Sequence, residues 1–150
     1  MLVPLLPPGR VQSPQGIVPE PAGHLLLLAD YVLGLVRVSL DDGTVAPLEG
    51  PEGAVLVGAD GLCAVPGGDL VAILNGVEPH RAVRLRLMPD RSRVSAIEEI
   101  DFNHSAYREP TLCTMVGRDL YYIAASQWSR FSAGATEPRE PPVVLTTRLD

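Results

Sequence analysis

The chain has 150 residues and a formal net charge of −6, with 46% hydrophobic and 20% charged residues; all twelve basic residues are Arg. That length suits one domain with room for a core, and the acidic balance excludes a nucleic-acid or anionic-membrane surface, since both require clustered basic residues. No apolar run reaches the roughly 18 residues of a membrane-spanning helix, and the opening MLVPLLPPGR has three prolines and no basic stretch, unlike a secretory leader, so the expected location of the chain as it stands is cytoplasmic.

In chain order, residues 14–30, PQGIVPEPAGHLLLLAD, read as two strands around a Pro-Gly turn. LVRVSL alternates as a third strand, and TVAPLE follows as a fourth. Residues 59–76, ADGLCAVPGGDLVAILNG, repeat the shape: a short apolar run, a Gly-Gly turn, a second apolar run and an abrupt Asn-Gly. AVRLRLM alternates next, with Arg84 and Arg86 on one side, and RVSAIEEI is the fourth stretch. PTLCTMVGRDLYYIAASQW opens a third unit, which ends in VVLTTRLD. No stretch keeps the i, i+3, i+4 apolar spacing of a capped helix, so the chain is expected to be all-β.

The units are internal repeats. Gly16 matches Gly61 and Leu25 matches Leu70 at an offset of 45; Leu62 matches Leu112 and Leu70 matches Leu120 at an offset of 50. Short antiparallel strands, about four per 40–50 residues, are the pattern of a β-propeller blade. The expected architecture is one segment of three blades, 13–56, 57–108 and 109–150. Residues 1–6, MLVPLL, are expected to be the fourth strand of a neighbouring blade. Three blades leave two apolar faces bare, so the segment is expected either to form a homodimer or to lack an N-terminal half.

Two cysteines, Cys63 and Cys113, occupy matching frames, DGLC and PTLC. Their spacing is not that of a metal site, and two buried free thiols on equivalent strands are expected. Asn75-Gly76 is a strong hairpin signal; the same position borders an axial channel, where Asn75 could touch a small-molecule ligand. NHSAYREP puts Asn103, His104 and Glu109 on one loop, where a His near a carboxylate could serve as a general base. His80 lacks such a neighbour in sequence. Gln127 and Trp128, the only Trp, follow a second strand as Asn75 does, and an aromatic ring among polar groups suits ligand stacking. No phosphate loop, nucleophile elbow or zinc cluster is present.

Taken together, SPQGI, LLLADY and GLVRVSL, then ADGL, GGDLVAILNGVEPHRAVRLRL, NHSAYREPTL and LYYIAASQW resemble the six-bladed propellers of the gluconolactonase-like superfamily. That group includes senescence marker protein, luciferin-regenerating enzyme and NHL-repeat proteins, and the likeness is to a bacterial branch over about residues 12–149. The resemblance implies half of a six-bladed propeller, with a divalent cation, calcium or zinc, on the propeller axis, held by residues at the starts of innermost strands. Asp60 in ADGL matches such a ligand position; the first unit has Gln15 there, and the third has Pro110 with Glu109 beside it. The implied chemistry is lactone hydrolysis, with Asp60, His104 and Glu109 as catalytic candidates and Gln15, Asn75, Asn103, Gln127 and Trp128 as ligand contacts. The expected function is nonetheless a ligand- or protein-binding scaffold, with the metal-dependent hydrolase as the alternative.

Overall fold

A computed structural model describes residues 1–150. Eleven strands form three antiparallel sheets. The first contains β1 (Pro14–Pro19), β2 (Leu25–Asp30), β3 (Gly34–Ser39) and β4 (Val45–Pro47); the second contains β5 (Ala59–Ala64), β6 (Leu70–Leu74), β7 (Arg81–Leu87) and β8 (Val94–Phe102). The third contains β9 (Cys113–Val116), β10 (Asp119–Ala125) and β11 (Val143–Arg148), in the order β11-β10-β9. The first two sheets run strictly in sequence order, as expected of meanders closed by short turns. One such turn is Val65 to Asp69, where Gly67 and Gly68 both take φ +96° and the Val65 and Asp69 backbones pair; only glycine enters that region at little cost.

The core lies between sheets. Leu27, Ala29 and Leu35 of the first sheet pack on Leu62, Leu70, Ala72, Leu74, Val83 and Leu85 of the second. The opposite face of the second sheet, with Val71, Ile73 and Ala82, packs on Leu120, Tyr122 and Ala124 of the third. β6 is therefore buried at every residue, which explains its unbroken apolar run: a strand covered on both faces has no solvent side to make polar. Tyr122 Oη donates to Asp101 Oδ2 at 2.6 Å and lies 3.2 Å from Tyr107 Oη, tying β8 to β10. Burial pushes the Tyr107 hydroxyl up to about 12. On the outer part of the second sheet, Arg84 and Arg86 both reach Asp69, and Arg86 also takes Glu98 as a two-point partner at 2.7 and 3.0 Å. Burial raises the Asp69 carboxyl, but Arg86, the Leu87 amide and Arg84 outweigh it and hold the group below its ordinary value.

Two details depart from the sequence-based expectation. Residues 1–6 form no strand; Leu6 and Val11 instead pack over Leu28, Val36 and Val38 on the outer face of the first sheet. Of residues 1–6 only Leu6 gains this cover, while Met1, Leu2, Val3 and Leu5 stay exposed. Asn75-Gly76 is not a two-residue hairpin, because residues 75–80 all lie between β6 and β7. Gly76 is needed for proximity: a Cβ there would run into the Gly58 backbone and the Tyr31 ring. The third sheet has three strands, as its sequence leads us to expect, and the face turned away from the second sheet is open, with Val116 63%, Val144 61% and Tyr121 37% exposed.

Candidate functional site

β1, β5 and β9 lie side by side, one from each sheet. Their close approach depends on missing side chains. A Cβ on Gly16 would overlap Leu62, and one on Gly61 would overlap the Thr111 carbonyl. The starts of these strands and the residues just after the second strands therefore share one rim. There Gln15, Asp60, Asn75, Glu109 and Trp128 line a cavity of about 540 Å³ together with Ser13, Tyr31, Thr111 and Leu112. All three sheets contribute, and none of the lining residues is basic.

Asn75 is the joint of this cavity. Its Nδ2 donates to Asp60 Oδ2 at 2.9 Å and to the Pro110 carbonyl at 2.7 Å, bridging the second sheet to the approach to β9. Its Oδ1 is buried and accepts nothing within the protein. The phenol end of Tyr31 lies beside Gly76; burial and the negative charges of Asp60 and Glu109 raise its hydroxyl pKa, so it stays a neutral donor at physiological pH. The segment carrying Ser13 and Tyr31 is fixed by Asp30, which is fully buried. Asp30 accepts from the amides of Gln12 and Ser13 at 2.6 and 3.1 Å and from those of Val32 and Leu33, both at 3.0 Å. Burial raises that carboxyl, and the four backbone donors overcome it and leave the pKa lowered.

Glu109 also borders a second cavity of about 550 Å³, lined by Asn103, His104, Gln127 and His80 among others. Here the sequence-based grouping of His104 with Glu109 separates. His104 Nδ1 accepts from the Ala106 amide at 3.1 Å, while Glu109 accepts from the Ser129 amide at 3.1 Å, so the two are neighbours on a wall and not a hydrogen-bonded pair. His80 has a partner the sequence did not suggest, Glu78, at 3.2 Å. Gln127 spends its amide on the Glu140 backbone, donating at 2.9 Å and accepting at 2.8 Å, which makes it a brace for the following loop. Asn103, Glu109 and Gln127 all have positive φ, at 49°, 58° and 59°. Backbone of that kind is uncommon for residues with a side chain and persists only where surrounding bonds impose it.

Trp128 opens a single 3-10 turn, Trp128–Phe131, and is 66% exposed beside Phe131. It does not plug a sheet edge. Metal-binding chemistry is only partly provided for. Asp60 and the Asn75 Oδ1 are oxygen donors of the kind hard cations take, yet no three His, Cys, Asp or Glu side chains converge anywhere in the chain. The donors present do not make up a metal centre. Four lining residues, Ser13, Tyr31, Thr111 and Leu112, were not singled out from sequence. Tyr31 had a signal: it stands 45 residues before Gly76, a large residue in one repeat facing the small one in the next.

No protein-family model and no curated protein matches this chain. Solved structures do. An aldose sugar dehydrogenase from Streptomyces coelicolor, solved with PQQ bound, aligns with a TM-score of 0.63 at 17% identity over 79% of this chain and 39% of its own. A protein assigned to the gluconolactonases aligns with a TM-score of 0.60 at 20% identity over 95% and 50%, and luciferin-regenerating enzyme with 0.58 at 14% over 85% and 41%. These likenesses establish the fold alone: the three sheets are arranged as β-propeller blades. The chain spans half or less of the length of each solved chain.

Proposed function

We propose that this chain is a ligand-binding propeller segment whose rim cavity takes a small, hydroxyl-rich molecule that is neutral or positively charged. One observation supports this reading above the others: Gln15, Asp60, Asn75, Tyr31 and Trp128 converge from three sheets on one cavity that has two carboxylates, two amides and an exposed indole but no basic group. Amides and carboxylates can bond sugar-like hydroxyls, an indole can stack on a ring, and the missing positive charge disfavours anions. Trp128 is the only Trp, so its emission reports on the cavity. Titration with glucosamine, glucose and gluconate should give saturable changes for the first two and the weakest response for gluconate. No saturable change with any of them, or tightest binding of gluconate, would sink the reading.

A second reading, a divalent-metal-dependent lactonase-like hydrolase, has one observation in its favour: the buried, unbonded Asn75 Oδ1 beside Asp60. Because this chain's donors are incomplete, the remaining ligands would have to come from elsewhere in a closed ring. Calcium or zinc should then raise the thermal midpoint and a chelator lower it, and equal midpoints would dismiss the metal.

The ring itself is proposed to be six-bladed and completed by a second copy of the chain, with the open face of the third sheet as the surface to be covered; a missing N-terminal half is the other source of blades. A dimer by light scattering supports the copy, and the mass of one chain contradicts it.

A further inference from the structure

We infer that Cys63 and Cys113 close a disulfide bond that joins the second sheet to the third. Cys63 lies on β5 and Cys113 opens β9. Their sulfurs face each other at 2.8 Å across the interface between two sheets. The backbones are close there for an independent reason: Gly61, two residues before Cys63, has no side chain where the Thr111 carbonyl, two residues before Cys113, presses against it. Equivalent positions on neighbouring inner strands, 50 residues apart in sequence, are thus brought together by the packing of the sheets. The bond would fix β5, which carries Asp60, to the start of β9, which Thr111 closely precedes, and so two walls of the rim cavity.

The exchange needs an oxidant, and a low-molecular-weight disulfide such as glutathione disulfide suffices. Both cysteines are free thiols, Cys63 buried and Cys113 the partly exposed residue of the two. The Cys113 thiol loses its proton to water, and the thiolate attacks one sulfur of glutathione disulfide, expelling one glutathione thiolate and leaving a mixed disulfide. Cys63, deprotonated in turn, attacks the Cys113 sulfur and expels the second. Two protein thiols are oxidised, one disulfide is reduced to two thiols, and the protons balance. The neighbouring Cys63 and burial both raise the Cys113 pKa, so the first step is slow in the folded chain.

The test is to refold the whole chain in a glutathione redox buffer, where access is not limiting, and then to count thiols in denaturant and weigh the intact chain. The expected product has no free thiol, has lost two hydrogens, carries no glutathione and is not cross-linked to another chain. Reduction should lower its thermal midpoint. Cys63→Ser and Cys113→Ser should each abolish both the internal bond and the redox dependence of the midpoint. Two free thiols, glutathione on both cysteines, a cross-link between chains or a midpoint indifferent to reduction would each overturn the proposal.

Discussion

Asp30 and Asn75 occupy the same slot, 45 residues apart, at the end of the second strand of successive sheets. In the first sheet a carboxylate fills it and four backbone amides exhaust its acceptor capacity. In the second sheet an amide fills it, donates both hydrogens forward to Asp60 and Pro110, and keeps an unbonded oxygen. One position has become an internal latch, complete in itself. The other has become the joint of a cavity and still has bonding capacity to spare. The repeat therefore conserves geometry while the chemistry of a single side chain decides whether a rim is closed or open to a ligand.

The contrast can be broken most severely at the latch. Asp30→Ala leaves four amide donors stranded, and a loss of about 4 kcal/mol is expected in denaturant unfolding, within the range for several unmet buried donors. The folded-state pKa of Asp30 is lowered, so its contribution is complete above the ordinary carboxylate range and drains away as pH falls through the lowered value. The gap between wild type and Asp30→Ala should accordingly narrow in strong acid and nowhere else. A gap that stays constant down to full protonation would show that the carboxylate charge is irrelevant.

Next in size is the neighbouring slot, Tyr31 in the first sheet and Gly76 in the second. Gly76→Ala forces a methyl into the Gly58 backbone and the Tyr31 ring; about 3 kcal/mol should be lost, as for overpacking a closed site, and thermal unfolding will measure it. Making the two slots alike sharpens the comparison. Asn75→Asp puts a second carboxylate where Nδ2 now meets Asp60, costing about 2 kcal/mol at neutral pH through like-charge repulsion. One acid of that pair then has a raised folded pKa, so the penalty fades as pH falls through it, well before the Asp30 effect begins to fade. A variant as stable as wild type at neutral pH would mean that the Asn75–Asp60 contact is not made in solution. Smallest is Trp128→Ala: the ring is largely exposed, so stability should move by less than about 0.5 kcal/mol while the response to glucosamine, read by calorimetry, disappears. Unchanged binding would remove Trp128 from the site.

The fold was readable because a repeat states the same instruction three times, and unbroken runs such as LVAIL can only suit a strand covered on both faces. Of the candidates, Gln15, Asp60 and Glu109 came from a resemblance to ligand positions at the starts of inner strands, Asn75 and Trp128 from the ends of second strands, and the folded chain places all five around one cavity. What failed to show were relations between residues distant in sequence. His104 looked like a partner of Glu109, but a local amide claims its ring nitrogen. Asp30 looked like the end of a strand, since nothing in LLLLAD announces four donors, two of which lie far upstream. The segment 1–6 has a strand-like composition, yet composition cannot tell an edge from a face.

The absent side chains at Gly16 and Gly61 carry a consequence for chain order. Each allows the inner strand of the following sheet to press against it, and each stands on the earlier strand of its pair. The third sheet has Thr111 in that slot. The stack thus has a reading direction, and the sheets are not interchangeable parts. A rearranged chain in which the first sheet stacks on the third would set the Thr111 side chain where the two existing interfaces have glycine. Rearranging these three similar units should cost packing even though every strand and every turn within them is retained.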